Sequence, residues 1–74
     1  RVNSISPGYT EGGMNDTSWK NKKLRSSRSK RSMLNRWAKK DEIANVVIFL
    51  LSQSSSFITA TNINVDGGWT SKGI

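Results

Sequence analysis

The sequence predicts an α/β fold, with its elements in the order strand, loop, basic helix, buried helix and strand. Two observations carry this prediction. Residues 43–51 are apolar on nearly every helical face, which is typical of a helix covered on all sides. Residues 61–65 alternate between polar and apolar side chains, which is typical of a half-buried strand.

The first strand is predicted over residues 1–6, where two apolar residues stand among polar ones. Pro7 and Gly8 end it, because proline lacks the N–H that a sheet ladder needs and glycine accepts backbone angles that other residues avoid. We expect a loop from there to residue 13.

The basic helix is predicted over residues 16–32, which contain neither Gly nor Pro. Asp16 or Thr17 would cap its first turn. Only two of its residues are apolar, so we expect it to lie on the surface and to be mobile, with a break near Ser26 and Ser27.

The buried helix is predicted over residues 40–53. Asp41 and Glu42 stand in its first turn, where negative charge favours the helix dipole. A chain of 74 residues has little against which to bury such an apolar helix. We therefore expect it to lie between a sheet and something else, such as a partner subunit. A final strand over residues 61–65 ends at Asp66-Gly67-Gly68.

Charge and composition exclude several classes of protein. The net charge is +7, and ten of the twelve Lys and Arg residues lie between Lys20 and Lys40. The chain has no Cys and no His, so a disulfide and a typical zinc site are excluded. Its longest apolar run is far below the roughly 20 residues that a membrane span needs. With no secretory signal at the first residues, we expect a cytoplasmic protein.

Three stretches stand in a specific order and spacing along the chain: RVNSISPGYT at residues 1–10, NRWAKKDEIA with FLLS at residues 35–44 and 49–52, and FIT with INVDGGW at residues 57–59 and 63–69. Together they resemble the C-terminal third of the short-chain dehydrogenase/reductase family. The resemblance covers nearly the whole chain except the basic segment between Thr17 and Ser32.

The resemblance implies the C-terminal part of a doubly wound parallel (Rossmann) sheet. Residues 1–12 would form the last-but-one strand and the cofactor loop, residues 13–38 the substrate loop and helix, and residues 39–74 the final helix, strand and tail. The family uses NAD or NADP, and Ser, Tyr and Lys catalyse hydride transfer to a carbonyl.

The family's nucleotide fingerprint, its catalytic residues and the residue that selects NAD or NADP lie upstream of the stretch that corresponds to this chain. No Tyr-x-x-x-Lys occurs here, so no catalytic residue is carried over. We expect the parent protein to be an enzyme and the isolated chain to be inactive.

Cofactor contacts are the one part of the family's site that can be carried over. The resemblance implies cofactor binding by Pro7, Gly8, Tyr9, Thr10 and Gly12, whose main chain would orient the nicotinamide carboxamide. Gly12 stands where the family often has Thr, so cofactor binding at this point depends on Thr10 or on a backbone N–H. Without the resemblance, Pro-Gly is an ordinary strand-ending turn.

Three further positions depart from the family's pattern. Met33 and Ala38 replace a frequent Pro and Gly around the turn that contains Arg36. Ala60 replaces the usual Gly before the last strand. If that position needs a left-handed backbone, Ala costs about 1–2 kcal/mol there, and otherwise it costs nothing.

The basic segment between Lys20 and Arg31 has three interpretations. As a substrate loop it would bind an anionic group, to which Arg is suited. Clustered Lys and Arg also resemble a nucleic-acid-binding arm, although only Trp19 could stack a base. The third interpretation is a solvated, mobile face. We expect a small-molecule carbonyl or alcohol substrate, with neither nucleic acid nor a membrane as partner.

The final helix and strand imply a homodimer or homotetramer in the family. An edge strand exposes unpaired backbone groups, and a two-fold contact would cover both the strand and the apolar helix. Burial within one subunit is the alternative. For the chain as a whole, two other hypotheses stay open: a small basic module that binds nucleic acid or anions, and an inactive, truncated remnant of an enzyme.

Overall fold

The computed structural model describes residues 1–13 and 16–72, without the side chain of Asp16. In chain order its elements are β1 (Ser4–Pro7), α1 (Asp16–Lys20), α2 (Lys22–Ser29), α3 (Lys40–Leu51), a 3-10 helix (Gln53–Ser55), β2 (Asn62–Val65) and α4 (Trp69–Lys72). The short helix α4 was not predicted. It follows the two glycines that end β2.

The two strands pair in parallel, with Ser4 opposite Asn62 and Pro7 opposite Val65. A parallel pair needs a long crossover connection, and α1, α2 and α3 lie within it. Both strands therefore end at the same edge of the sheet. Pro7 is tolerated as the last residue of β1, because the ladder continues through the N–H of Gly8, which donates to Val65 O at 2.9 Å.

The basic segment forms two short helices, so the prediction of one helix with a break near Ser26 and Ser27 is wrong. The break lies at Asn21, whose side-chain oxygen accepts from the backbone N–H of Lys23 at 3.1 Å and of Leu24 at 3.2 Å. Asn21 thereby caps α2, a role that its short polar side chain favours. Thr17 lies inside α1 and does not cap it, and the side chain of Asp16 lies outside the description.

Helix α3 begins where predicted, at Lys40, and ends two residues early, at Leu51. Glu42 accepts from the backbone N–H of Lys39 at 2.9 Å and so satisfies a donor at the helix start. At the other end, the Arg1 guanidinium donates to Leu50 O at 3.1 Å and to Ser55 O at 2.8 Å. Arg1 thus ties the beginning of the chain to the end of α3.

The burial predicted for α3 is not reached within this chain, because none of its residues is buried. Ile48 is 63% exposed and Leu51 is 80% exposed. A cavity of about 400 Å³ separates Val47, Leu50 and Leu51 from β1. The radius of gyration is 13.7 Å, against about 11 Å for a compact domain of this length. The described residues therefore form an open layer that leaves an apolar helix uncovered.

Among the described residues, no helix is long and apolar enough to cross a bilayer. Within the same part of the chain, no group of three or more His, Cys, Asp or Glu side chains is placed to hold a metal ion.

Candidate functional site

The two strand-ending turns meet at the carboxyl edge of the sheet. A Cβ added at Gly8 would lie 2.9 Å from Asp66 Cα, so only glycine lets the first turn approach the second this closely. Beside them lies a cavity of about 300 Å³, lined by Gly8, Tyr9, Gly67 and Gly68 among others. This is the edge at which ligands bind in open α/β sheets.

The five predicted cofactor residues follow one another around this edge. Pro7 ends β1, and Gly8 and Tyr9 line the cavity. Thr10 donates its hydroxyl to Gly8 O at 3.0 Å, which stabilises the turn from within. Gly12 has a φ of 81° and a missing Cβ that would lie 2.6 Å from Lys40 Cε. Pro7, Thr10 and Gly12 do not line this cavity.

Tyr9 stands inside an aromatic stack that the sequence did not reveal. Its ring centroid lies 5.3 Å from that of Trp69 and 5.2 Å from that of Trp37. Trp37 also contacts Trp19, at 5.4 Å, and donates its indole N–H to Arg25 O at 3.1 Å. Trp37 is 4% exposed and is the one buried apolar residue among those described. The stack joins residues that are far apart in sequence, so no local spacing could have predicted it.

Two arginines of the basic segment approach Tyr9. The Arg28 guanidinium lies 5.0 Å from the centroid of the Tyr9 ring and donates to Ser18 Oγ at 2.5 Å. Arg31 donates to the Tyr9 hydroxyl at 3.4 Å. Both arginines line the cavity. The basic segment is therefore folded over the turn that was predicted to bind the cofactor.

A bidentate ion pair closes the same region from the helix side. Arg36 Nη1 and Nη2 lie 2.7 and 2.8 Å from the two carboxylate oxygens of Glu42. The hydrogen bond from Arg36, with a second from the Lys39 N–H, lowers the pKa of Glu42 to about 2. The pair holds the residues before α3 against the first turn of that helix.

The turn after β2 is closed by Asp66. One carboxylate oxygen accepts from Gly68 N at 2.9 Å, and the other accepts from the Thr70 hydroxyl at 2.5 Å. The Thr70 hydroxyl is the largest cause of a lowered pKa at Asp66. Gly67 and Gly68 have φ of 62° and 90°, so both occupy the left-handed region that favours glycine.

Residues 33 and 34 are anchored to this turn by main-chain hydrogen bonds. Met33 N donates to Gly67 O at 2.9 Å, and Leu34 N donates to the same oxygen at 3.3 Å. A proline at position 33, frequent in the resembling family, would lack the first donor. Met33 therefore supplies a hydrogen bond to this turn that proline cannot make.

The chain is similar to known proteins over nearly its whole length. A family model described as enoyl-(acyl carrier protein) reductase matches residues 1–70. The chain is 40% identical over 68 residues to the 3-oxoacyl-[acyl-carrier-protein] reductase FabG of Thermotoga maritima, covering 92% of this chain and 27% of that protein.

Two solved structures are similar over 96% of this chain. A 4-hydroxyisoleucine dehydrogenase complexed with NADH has a TM-score of 0.89 and 37% identity, over 29% of its own chain. A gluconate 5-dehydrogenase from Burkholderia cenocepacia in complex with NADP and tartrate has a TM-score of 0.86 and 34% identity, over 28%. The chain spans less than a third of each relative. The predicted fold class, part of a Rossmann-type parallel sheet, is confirmed.

Proposed function

The chain belongs to the short-chain dehydrogenase/reductase family, and we propose that it forms the C-terminal part of an NAD(P)-dependent oxidoreductase that interconverts a carbonyl and an alcohol on a small molecule. The turn at residues 7–12 faces the nicotinamide, residues 13–38 cover the substrate, and the final helix and strand join subunits. No residue of this chain is proposed as catalytic.

The observation that carries the proposal is the meeting of two glycine-containing turns beside a cavity at the carboxyl edge of parallel strands. Gly8 N donates to Val65 O at 2.9 Å, and Gly8 leaves no room for a Cβ against Asp66. A bound nicotinamide supplies the hydride donor or acceptor of such a reaction. The role of this chain is to hold the nicotinamide ring and to cover the substrate.

The bound molecules of the relatives support the choice of cofactor. The 4-hydroxyisoleucine dehydrogenase holds NADH, and the gluconate 5-dehydrogenase holds NADP. Both are similar to this chain over residues that include the Pro7-Gly8 turn, because the matches cover 96% of the chain. We propose that the same turn binds the cofactor in this protein. Gly8 and Tyr9 do so from the wall of the cavity, and Pro7, Thr10 and Gly12 through the turn that carries them.

The uncovered apolar surface of α3 supports assembly into a homodimer or homotetramer. Ile48 and Phe49 are 63% and 41% exposed. Within the described residues β2 pairs only with β1, so its outer edge is open to a second strand. A self-complementary contact would cover the helix and the edge together.

The rival hypothesis of a basic nucleic-acid-binding module loses support at Trp19. Arg25 lies 4.9 Å from the centroid of the Trp19 ring, and Trp37 contacts the same ring at 5.4 Å. Arg25 and Trp37 therefore already contact the ring on which a base would stack, and a base that took the place of Arg25 would lose the cation–π contact.

The first experiment is to sequence the coding DNA upstream of Arg1. An in-frame extension with a Gly-rich turn after a first strand and a later Tyr-x-x-x-Lys would establish the oxidoreductase. The residue after the second strand would then indicate NAD or NADP. A stop codon or an unrelated sequence immediately upstream would overturn the proposal and leave a remnant or a small basic module.

A second experiment tests the turn itself, in the full-length protein. Gly8→Ala should weaken binding of NADH or NADPH at least tenfold, because the new Cβ pushes the Pro7-Gly8 turn away from Asp66. Gly13→Ala is the matched control: its Cβ meets nothing within 4 Å, although its φ of 60° adds backbone strain. Cofactor affinity is measured by fluorescence titration, and equal losses in the two variants would contradict the assignment of the turn.

A further inference from the structure

We propose that the cavity beside Tyr9 binds an anionic group of the substrate, a carboxylate or a phosphate, through the guanidinium groups of Arg28 and Arg31. The inference deepens the proposed function and rests on it. It names the class of substrate that the oxidoreductase would take: a small organic acid or a phosphate ester.

The first argument is that both guanidinium groups line the cavity without an acidic partner. Arg28 makes one side-chain hydrogen bond, to Ser18 Oγ, and lies over the Tyr9 ring. Arg31 makes one, to the Tyr9 hydroxyl at 3.4 Å. Each guanidinium has five N–H donors, so most remain to bind a ligand. Among the residues described, no carboxylate forms an ion pair with either arginine.

The second argument is that the two acidic side chains at the cavity are already engaged. Glu42 is held by the bidentate contact with Arg36 and by the Lys39 N–H. Asp66 accepts from Gly68 N and from Thr70. Neither carboxylate forms an ion pair with Arg28 or Arg31. Of the described residues, three arginines and two carboxylates line the cavity, so its wall carries a net charge of +1.

The third argument is that Arg28 is held in place by its contacts, whereas the exposed Arg31 keeps one contact, with the Tyr9 hydroxyl. Arg28 is half-buried and is located by Tyr9 on one side and by Ser18 on the other. Tyr9 in turn stacks on Trp69 and contacts Trp37 in a tilted arrangement. Planar guanidinium groups held in place bind carboxylate and phosphate oxygens in pairs, at a smaller entropic cost than mobile lysines.

The dimensions of the cavity limit the ligand to a small molecule. Its volume is about 300 Å³, and its wall combines the two arginines with the apolar faces of Tyr9, Leu34 and Trp69. This combination suits a compact acid whose carbon skeleton contacts the aromatic rings. A carrier protein would instead need an extended surface, such as the exposed lysines Lys20, Lys22 and Lys23.

The test titrates the full-length protein with succinate and with inorganic phosphate, and follows the intrinsic fluorescence of the tryptophans around Tyr9. Arg31→Gln should weaken binding about tenfold, equivalent to about 1.4 kcal/mol. Arg28→Lys keeps the charge and should still weaken binding several-fold, because it loses the planar contact. Lys23→Gln removes the same charge from outside the cavity and should bind as the wild type does.

The outcomes separate this inference from the proposed function. The inference would be overturned if Arg31→Gln and Lys23→Gln lowered anion binding equally. It would also be overturned if the neutral analogue succinamide bound as tightly as succinate. A protein that bound an acidic carrier protein but neither succinate nor phosphate would overturn it as well. Tighter binding of succinate or of phosphate identifies the anionic group. Arginine-dependent anion binding without any cofactor binding would overturn only the oxidoreductase. Turnover of neutral substrates with no preference for acids would overturn only the anionic substrate.

Discussion

At the scale of single residues, Ala60 replaces the family's usual glycine at a position where the backbone is left-handed. Ala60 has a φ of 57°, and its N–H donates to Val2 O at 2.7 Å. Asn35 has a similar φ of 56°, which asparagine tolerates better than alanine does. Ala38, which also replaces a frequent glycine of the family, is not among the residues with positive φ. Replacing Ala60 by glycine should therefore change the stability of the protein differently from replacing Ala38 by glycine.

We expect Ala60→Gly to raise the free energy of unfolding of the full-length protein by about 1 kcal/mol. Removing the left-handed strain stabilises the folded protein by about 1–2 kcal/mol. The greater conformational freedom of glycine in the unfolded chain offsets part of this stabilisation. Urea unfolding measures the change. Ala38→Gly is the control and should bring no gain, so a similar stabilisation in both variants would show that the φ of Ala60 is not the cause.

The ion pair between Arg36 and Glu42 predicts a pH dependence. The folded pKa of Glu42 is about 2, below its ordinary value of 4.5, because of the hydrogen bonds from Arg36 and Lys39. A depressed folded pKa stabilises the protein above the unfolded pKa, and this contribution is lost as the pH falls from about 4.5 towards 2.

The carboxyl resonance of Glu42 measures this effect directly by NMR. Its midpoint should lie near pH 2 in the wild type and rise towards the ordinary value in Arg36→Gln. Both side chains are partly exposed, at 50% and 41%, so added salt should weaken the effect as well. A midpoint that Arg36→Gln leaves unchanged would mean that the pair does not form in solution.

At the scale of the elements, the division of the basic segment depends on one side chain. Asn21 accepts from two backbone N–H groups at the start of α2, and this cap competes with the continuation of α1. Charge and the absence of Gly and Pro predicted helix here correctly. They could not locate the break, because an asparagine inside a helix and an asparagine that caps one look alike in sequence.

Asn21→Ala should loosen α2 by about 1 kcal/mol, the usual contribution of such a cap. The sharpest measurement is hydrogen exchange at the amides of Lys23 and Leu24, which should exchange severalfold faster in the variant. Asn21→Asp keeps an acceptor at the same place and should retain the protection. Unchanged exchange in Asn21→Ala would show that the cap is not formed.

At the scale of the whole molecule, the apolar helix α3 has too little cover. The described residues form a layer with principal extents of 42, 26 and 15 Å, and the two-stranded sheet cannot close over the helix. Val47, Leu50 and Leu51 line the cavity beside β1, and Ile48 stands on the neighbouring, exposed face of the helix. We interpret the first face as the contact with the rest of a larger sheet and the second as the contact with a partner subunit.

Ile48→Asp in the full-length protein should lower its oligomeric state, because it places a charge in the proposed apolar contact between subunits. Analytical ultracentrifugation measures the mass. Gln53→Glu adds a charge at an exposed position outside α3 and should leave the assembly intact. An Ile48→Asp variant with the mass of the wild type would place the subunit contact elsewhere.

The sequence by itself determined the fold class, the start of α3, the final strand and the family. These depend on local periodicity, on turn residues and on motifs at set spacings, all of which can be read along the chain. Only the tertiary structure decided that Tyr9 contacts both Trp37 and Trp69, that Arg28 and Arg31 line the cavity, and that Ala60 is left-handed. The physical reason is that the crossover between two parallel strands brings together residues distant in sequence, and no local pattern records such contacts.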